Sequence, residues 1–361
     1  MLRVVNVNSW KRMQEFLGLP GQVYGRDPLW VPHLGLQTLL LLGSPFDRQK
    51  KMLLALDGDR PVARLAVKIH DHAENRALHF GFYECLEGYE EATRLLVEEA
   101  HQLAPELSML GPYHFTMEDP YTGLLVEGFE HPPCFWASYN PPYYAHYLEQ
   151  AGLHKVMDLW TYFWDWNHAR LKPIERRAQK AAESGISVRP VDTRNRLKEI
   201  RGVANAMNYA LRDNWGFEDF SNDQVWELYF LSFLFLDPQW LLVAQHREDT
   251  VGACIILPDY NPWIKGTRGR LTPGLVKKLL FQKDTINHMR AWGLGVLPDY
   301  RSLFTAPALM QCAVEQGLAR GVQTADVSWI LESNTPMNSM LRAVGAQRHK
   351  VHRVVQREPL S

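Results

Sequence analysis

The residues Val296-Leu297-Pro298-Asp299-Tyr300-Arg301-Ser302-Leu303-Phe304-Thr305-Ala306 read as the end of a strand, a tight loop and the start of a helix from Pro307 to Arg320. The first turn of a helix offers N–H groups with no partner inside the helix, so this arrangement makes an anion site. No Ser-His-Asp or Cys-His set stands out, which points away from a covalent acyl-enzyme. His70-Asp71-His72 has the look of metal ligands, since alternate residues of a strand share a face. No third ligand lies near in sequence, and turn residues at a strand end are the simpler reading, so no metal is expected.

The elements that would position the loop fall into two similar series. In the first half, a strand near Val4–Val7 precedes a helix that opens after Ser9 and ends at Gly18. Strands at Met52–Leu56 and Pro61–Ile69 flank the turn Asp57-Gly58, a strong hairpin signal. A strand at Ala77–Glu84, a helix at Glu87–Ala104, a strand at Met109–Phe115, a helix at Pro141–Ala151 and a strand at Val156–Trp166 follow. The second half has a strand at Ile186–Val191 and a helix at Leu197–Leu211. A hairpin of Trp240–His246 with Val251–Leu257 comes next. Then come a strand at His288–Val296, the helix from Pro307, a strand at Val322–Leu331, a helix at Pro336–Val344 and a strand at His349–Gln356. Leu148-Glu149-Gln150-Ala151-Gly152-Leu153 parallels Leu341-Arg342-Ala343-Val344-Gly345-Ala346, which points to an internal duplication. This reading sets domains at 1–166 and 186–361, joined by a helix within 167–185.

Bulk properties narrow the function. The formal net charge of -1 gives no global field for nucleic acid or an anionic membrane. Cys85, Cys134, Cys254 and Cys312 are far apart in sequence, as expected of reduced thiols in a cytoplasmic protein. The longest apolar run, Leu228 to Ala244, is interrupted by Asp237-Pro238, so no membrane span is expected. Arg170, Lys172, Arg176, Arg177 and Lys180 crowd the joining segment, where a solvated helix is the simpler reading than a polyanion-binding one.

The loop at Val296–Ala306 resembles the acetyl-CoA pyrophosphate loop of the GCN5-related N-acetyltransferase (GNAT) superfamily, Val-x-Pro-x-x-Arg-Gly-x-Gly-x-Gly/Ala. Ser302 and Phe304 stand where that pattern has its first two glycines. The order of elements in both halves is also similar to GNAT. Tyr24-x-x-Asp27-Pro28-x-Trp30-Val31-Pro32, Gly111-Pro112, Gly123-Leu124-Leu125-Val126-x-Gly128-Phe129 and Asn140-Pro141-Pro142-Tyr143-Tyr144 resemble a bacterial tandem GNAT group. The resemblance implies an α/β (α+β) fold of two tandem GNAT-like domains, each a mixed twisted sheet flanked by helices. It implies a cleft between the strands His288–Val296 and Val322–Leu331 for acetyl-CoA or another acyl-CoA. Val296, Arg301, Ser302, Phe304, Thr305, Ala306 and Asn334 would hold that substrate. Weak binding is expected, because Phe304 replaces a glycine and Pro307 lacks an N–H.

The activity implied is N-acyl transfer to a small-molecule amine by direct attack on a thioester. Glu332, at the end of the cleft strand, is the candidate base. Asp326 and Ser328 alternate along the same strand. Leu341 stands where the family often has a proton-donating Tyr, and the first half lacks the cofactor loop. Two alternatives remain open: a donor other than acyl-CoA (aminoacyl-tRNA or an acyl-carrier protein), or a degenerate GNAT protein that binds a ligand without catalysis. Trp160, Tyr162, Trp164 and Trp166 suggest a buried strand first, and a ligand-facing wall second. The segment from Asn261 to Pro273 reads as a loop of the kind that caps a substrate site.

Overall fold

The computed structural model describes residues 1–42, 50–71, 76–115 and 121–360; His72 lies outside them. The elements are β1 (Leu2–Asn6), α1 (Trp10–Val23), α2 (Gly35–Leu42), β2 (Lys50–Asp57), β3 (Arg60–His70), β4 (Ala77–Cys85), α3 (Glu90–His101), β5 (Met109–Gly111), β6 (Leu124–Glu127), α4 (Tyr143–Gln150) and β7 (His154–Asp165). The chain continues through α5 (Lys172–Glu183), β8 (Ile186–Pro190), α6 (Arg196–Leu211), α7 (Asn222–Leu231), β9 (Leu241–His246), β10 (Asp249–Pro258), α8 (Asn261–Lys265) and α9 (Pro273–Phe281). It ends with β11 (His288–Val296), α10 (Pro298–Arg301), α11 (Thr305–Leu318), β12 (Thr324–Leu331), α12 (Thr335–Ala343) and β13 (Gln347–Arg357).

Packing divides the chain into two compact units. Unit 1 comprises residues 1–159, 263–271 and 350–361, and unit 2 comprises 160–262 and 272–349. Each carries a mixed sheet flanked by helices. In unit 1 the strands run β1-β2-β3-β4-β5-β13, with β6 also on β13. All of these neighbours are antiparallel except β4 and β5, which are parallel. In unit 2 the order is β12-β11-β10-β9-β8, with β11 and β12 parallel and the rest antiparallel. No helix among the described residues is long and apolar enough to cross a membrane.

Three differences from the sequence reading have physical causes. Helix α1 opens as expected, with Ser9 Oγ accepting from the Arg12 amide, but it runs past Gly18 to Val23 with Pro20 inside. Proline has no N–H for the carbonyl four residues back, Phe16. Arg64 Nη1 donates to that carbonyl instead, at 2.7 Å, so a buried cation does the work of the missing amide. Helix α7 escaped notice because it is apolar on both faces and shows no clean period, although Ser221 and Gln224 form a capping box. The segment after Asn261 is partly helical, as α8 and α9.

In unit 2 the indole of Trp166 lies against α11 at Gly317. A Cβ at Gly317 would come 2.0 Å from the Trp166 ring. Gly317→Ala should therefore displace Trp166 and cost about 1–3 kcal/mol. A drop in the urea midpoint at unchanged slope would show it; an unchanged midpoint would mean that the ring moves freely.

Candidate active site

Strands β11 and β12 pair in parallel from His288↔Thr324 to Ala291↔Val327, and there the pairing stops. Both strands continue, β11 to Val296 and β12 to Leu331. On its other edge β11 pairs with β10, and the register slips so that Ile255 meets Gly293 and Ile256 meets Ala291. Trp292 is the extra residue of this bulge, which bends β11 at the point where it leaves β12. The parted strands open a gap whose main-chain groups are no longer spent on each other.

A cavity of about 160 Å³ runs through the gap. Ala291–Leu294 of β11 and Val327–Ile330 of β12 form its edges. Met310, Ala313 and Val314 of α11 line one end, and Leu211 and Asn214 at the end of α6 also contribute. Trp164 of β7 and Trp166 just after it form part of the wall, whereas Trp160 and Tyr162 do not line it. Tyr162 is turned elsewhere and donates to Asn338 Oδ1 at 3.1 Å.

The loop after β11 has a firm frame. Arg301 donates through Nε to the Val296 carbonyl (3.1 Å) and through Nη2 to the Ala210 carbonyl (2.8 Å). Its guanidinium therefore braces the end of β11 against α6. Ser302 is exposed, and the buried Thr305 donates through Oγ1 to the Tyr300 carbonyl at 2.8 Å. Phe304 precedes α11 with φ +59°, ψ 32°, the left-handed region that glycine enters without steric cost. Its ring lies beneath the Lys180 ammonium of α5, 5.9 Å away. Lys180 thus brings a cation to the first turn of α11, where Ala306 sits.

Asn334 caps α12, accepting from the Met337 amide at 3.2 Å, and lines the cavity. Leu341, buried, is also in the wall. Glu332 follows β12 in a turn, half-buried, and is not among the cavity-lining residues; its carbonyl accepts from Asn338. The structure therefore gathers Val296, Arg301, Ser302, Phe304, Thr305 and Ala306 around one strand–helix junction, and Asn334 at the cavity.

Sequence reading saw Asp326 and Ser328 on one strand face but not the partners they meet, His349 and Arg290. On the sheet face opposite Ala291 and Val327 lie Arg290 and Asp326, partners in register. Arg290 is fully buried, donates to Ser328 Oγ at 3.0 Å and lies 4.7 Å from the Trp329 ring. His349, at the start of β13, places Nε2 3.0 Å from Asp326 Oδ1, and His288 Nε2 stands 3.8 Å from the same oxygen. The twenty-two residues between Asp326 and His349 hid this pairing.

Known proteins with this architecture can now be compared. No family model matches the sequence. A bacterial ceramide synthase of Caulobacter vibrioides is 24% identical over 99% of this chain and 97% of that protein. Protein YghO of Escherichia coli is also 24% identical, over 96% of this chain and 93% of its own. Among solved structures, the GCN5-related glucosamine N-acetyltransferase region of a fungal multi-domain β-N-acetylglucosaminidase superposes at TM-score 0.62 with 13% identity. It covers 99% of this chain, which spans only 38% of that larger protein. A tandem GNAT protein from the clavulanic acid biosynthesis pathway gives TM-score 0.53 with 11% identity, over 99% of both chains. A GCN5-related N-acetyltransferase of Sphaerobacter thermophilus gives 0.53 with 15%, over 98% and 95%.

The chain has the tandem GNAT fold. In this fold β11 and β12 are the parting strands, and α11 follows the loop after β11.

Proposed function

We propose that unit 2 is an N-acyltransferase that moves an acyl group from a thioester, acyl-CoA, to a primary amine. The observation that carries this reading is the parting of β11 and β12 with a cavity through the gap. An extended, amide-bearing arm fits between two strands whose edge groups are not spent on each other. The first turn of α11 and Lys180 supply positive potential for the diphosphate beyond it. The amine nitrogen attacks the thioester carbon; the C–N bond forms, the C–S bond breaks, and the sulfur leaves with a proton. A base takes the proton that the amine loses. Glu332 and the His349–Asp326 pair, none of them among the cavity-lining residues, are the two candidates for that base. Leu341 offers no proton, so the thiolate takes its proton from water or from the base in its protonated form.

The ceramide synthase that matches over nearly the whole chain supports a long-chain acyl donor and a long-chain amino alcohol as acceptor. The indole-rich, apolar lining of the gap agrees with an acyl chain. The test is release of free thiol from palmitoyl-CoA by the full chain, with and without sphinganine. Amine-dependent release with formation of the N-acyl product is expected. Release that ignores the amine, or none with any acyl-CoA or acyl-carrier thioester, would overturn the reading.

Binding of acetyl-CoA itself should be weak. Each charge-assisted hydrogen bond lost in a phosphate cradle costs about 1.5–3 kcal/mol, roughly tenfold or more in affinity. Ser302→Gly with Phe304→Gly should tighten CoA binding about tenfold, with Pro307 still withholding one donor. Calorimetry on both proteins decides. Tight binding by the native chain would show that Lys180 and the existing amides suffice.

A further inference from the structure

Unit 1 contains a cavity of about 660 Å³, large enough for a whole small ligand. The acyl-transfer reading makes no use of it. The Tyr24–Pro32 motif builds one wall, where Tyr24 and Trp30 stack with ring centroids 5.0 Å apart. Arg64 and Glu84, from β3 and β4, also line it. Lys265, Arg268 and Arg270 line it from the segment after α8.

That segment is pinned in place. The Gly35 amide donates to the Gly269 carbonyl at 2.9 Å, and the Lys265 ammonium to the Pro28 carbonyl. Gly269 has φ +74°, and a Cβ there would come 2.4 Å from the His33 carbonyl oxygen. Only glycine lets the two backbones lie this close.

The charges in the cavity do not balance. Asp27 accepts from the Leu29 amide and the Tyr139 hydroxyl, both at 2.8 Å. Glu84 accepts from Tyr144 at 2.8 Å and faces Arg64 at 3.4 Å. Both carboxylates are therefore engaged. Arg268 and Arg270 have no anionic partner among the described residues. Arg64, 3% exposed, holds an Nε with no hydrogen-bond partner. Two exposed guanidiniums, an ammonium and an incompletely satisfied buried guanidinium face one space whose walls include Leu17, Pro20 and Leu39.

We propose that this cavity binds a phosphate monoester with an apolar body. Guanidinium groups suit a dianion, which they hold by paired, charge-assisted hydrogen bonds. The Tyr24–Trp30 stack and the aliphatic residues take the apolar part.

The experiment is calorimetry on the full chain with hexyl phosphate, inorganic phosphate and hexanol at matched ionic strength. Hexyl phosphate should bind at one site, at least tenfold more tightly than either of the others. Arg268→Ala with Arg270→Ala should weaken it about a hundredfold, tenfold for each lost guanidinium. Arg270→Glu should weaken it at least as much as Arg270→Ala, by reversing a charge. Both positions of change, Arg268 and Arg270, are exposed side chains, so the unfolding midpoints should stay at the native value. Equal binding of inorganic phosphate and hexyl phosphate would reduce the site to surface charge and overturn the proposal. So would equal binding of hexanol, or an affinity that ignores both arginine variants. These outcomes do not depend on thiol release by unit 2, so the two readings fail separately.

Discussion

His349→Gln should lower the rate of acyl transfer by roughly 10²- to 10⁴-fold, the usual cost of losing a general base. The Michaelis constant for the acyl donor should change little, because the imidazole lies on the sheet face opposite Ala291 and Val327. The reason to expect so large an effect is Asp326. This carboxylate is 3% exposed and stands 3.0 Å from His349 Nε2. A buried carboxylate so close fixes the position of the imidazole. Asp326→Asn should therefore lose rate too, by less, since it acts through His349. Glu332→Gln is the comparison. It removes a proton acceptor and keeps the shape, and Glu332 sits in the turn that ends β12. If Glu332→Gln takes the large loss and His349→Gln does not, the base belongs to the turn. If neither variant slows turnover, water carries the proton, and the value of the site lies in positioning alone.

Arg64→Met should destabilise unit 1 by about 3–5 kcal/mol, the cost of leaving one member of a buried ion pair alone. Arg64 and Glu84 are both buried, and the guanidinium also holds the Phe16 carbonyl that Pro20 leaves without an amide. Burial pushes the Glu84 carboxyl up from its ordinary value, and Arg64, with hydrogen bonds from neighbouring tyrosines, opposes that shift. Removing Arg64 strengthens the upward shift. A carboxyl whose folded pKa lies above its unfolded one binds more protons in the fold. Stability then falls as pH rises from the ordinary carboxylate value through the folded pKa. The deficit of Arg64→Met should thus be larger at pH 8 than at pH 5. Adding Glu84→Gln should recover part of it and remove the added pH dependence. Urea unfolding of the native chain and the two variants at the two pH values measures this. A deficit that is the same at both values would mean that Glu84 is protonated, or reached by water, throughout.

Much of the strand–helix frame was legible because it is written locally. The run from Val296 to Ala306 shows its strand, loop and helix start without help from the rest of the chain, and α11 begins within two residues of the expected position. Ser9 and Asp57-Gly58 likewise act through bonds to near neighbours. Alternation and helical period name which faces are apolar, and this was enough to order most of the strands and helices along the chain, though not α2, β6 or α7.

Other features lie beyond any local signal. Gly18 reads as the end of the first helix, yet α1 continues through Pro20, with Arg64, on a strand far along the chain, holding the Phe16 carbonyl. Periodicity shows that β11 and β12 are strands, but not that their pairing ends at Ala291 and Val327. That end depends on a bulge against a third strand, β10. His349 and Asp326 meet because a helix and a turn carry β13 back to the sheet, and no spacing rule marks them as partners. The Tyr24–Pro32 motif was visible as a pattern, but its cavity needs a segment more than two hundred residues away. Local hydrogen bonds and side-chain periods act over a few residues and can be read in order. A gap, an ion pair or a cavity is made by surfaces that come together only when distant parts of the chain have packed.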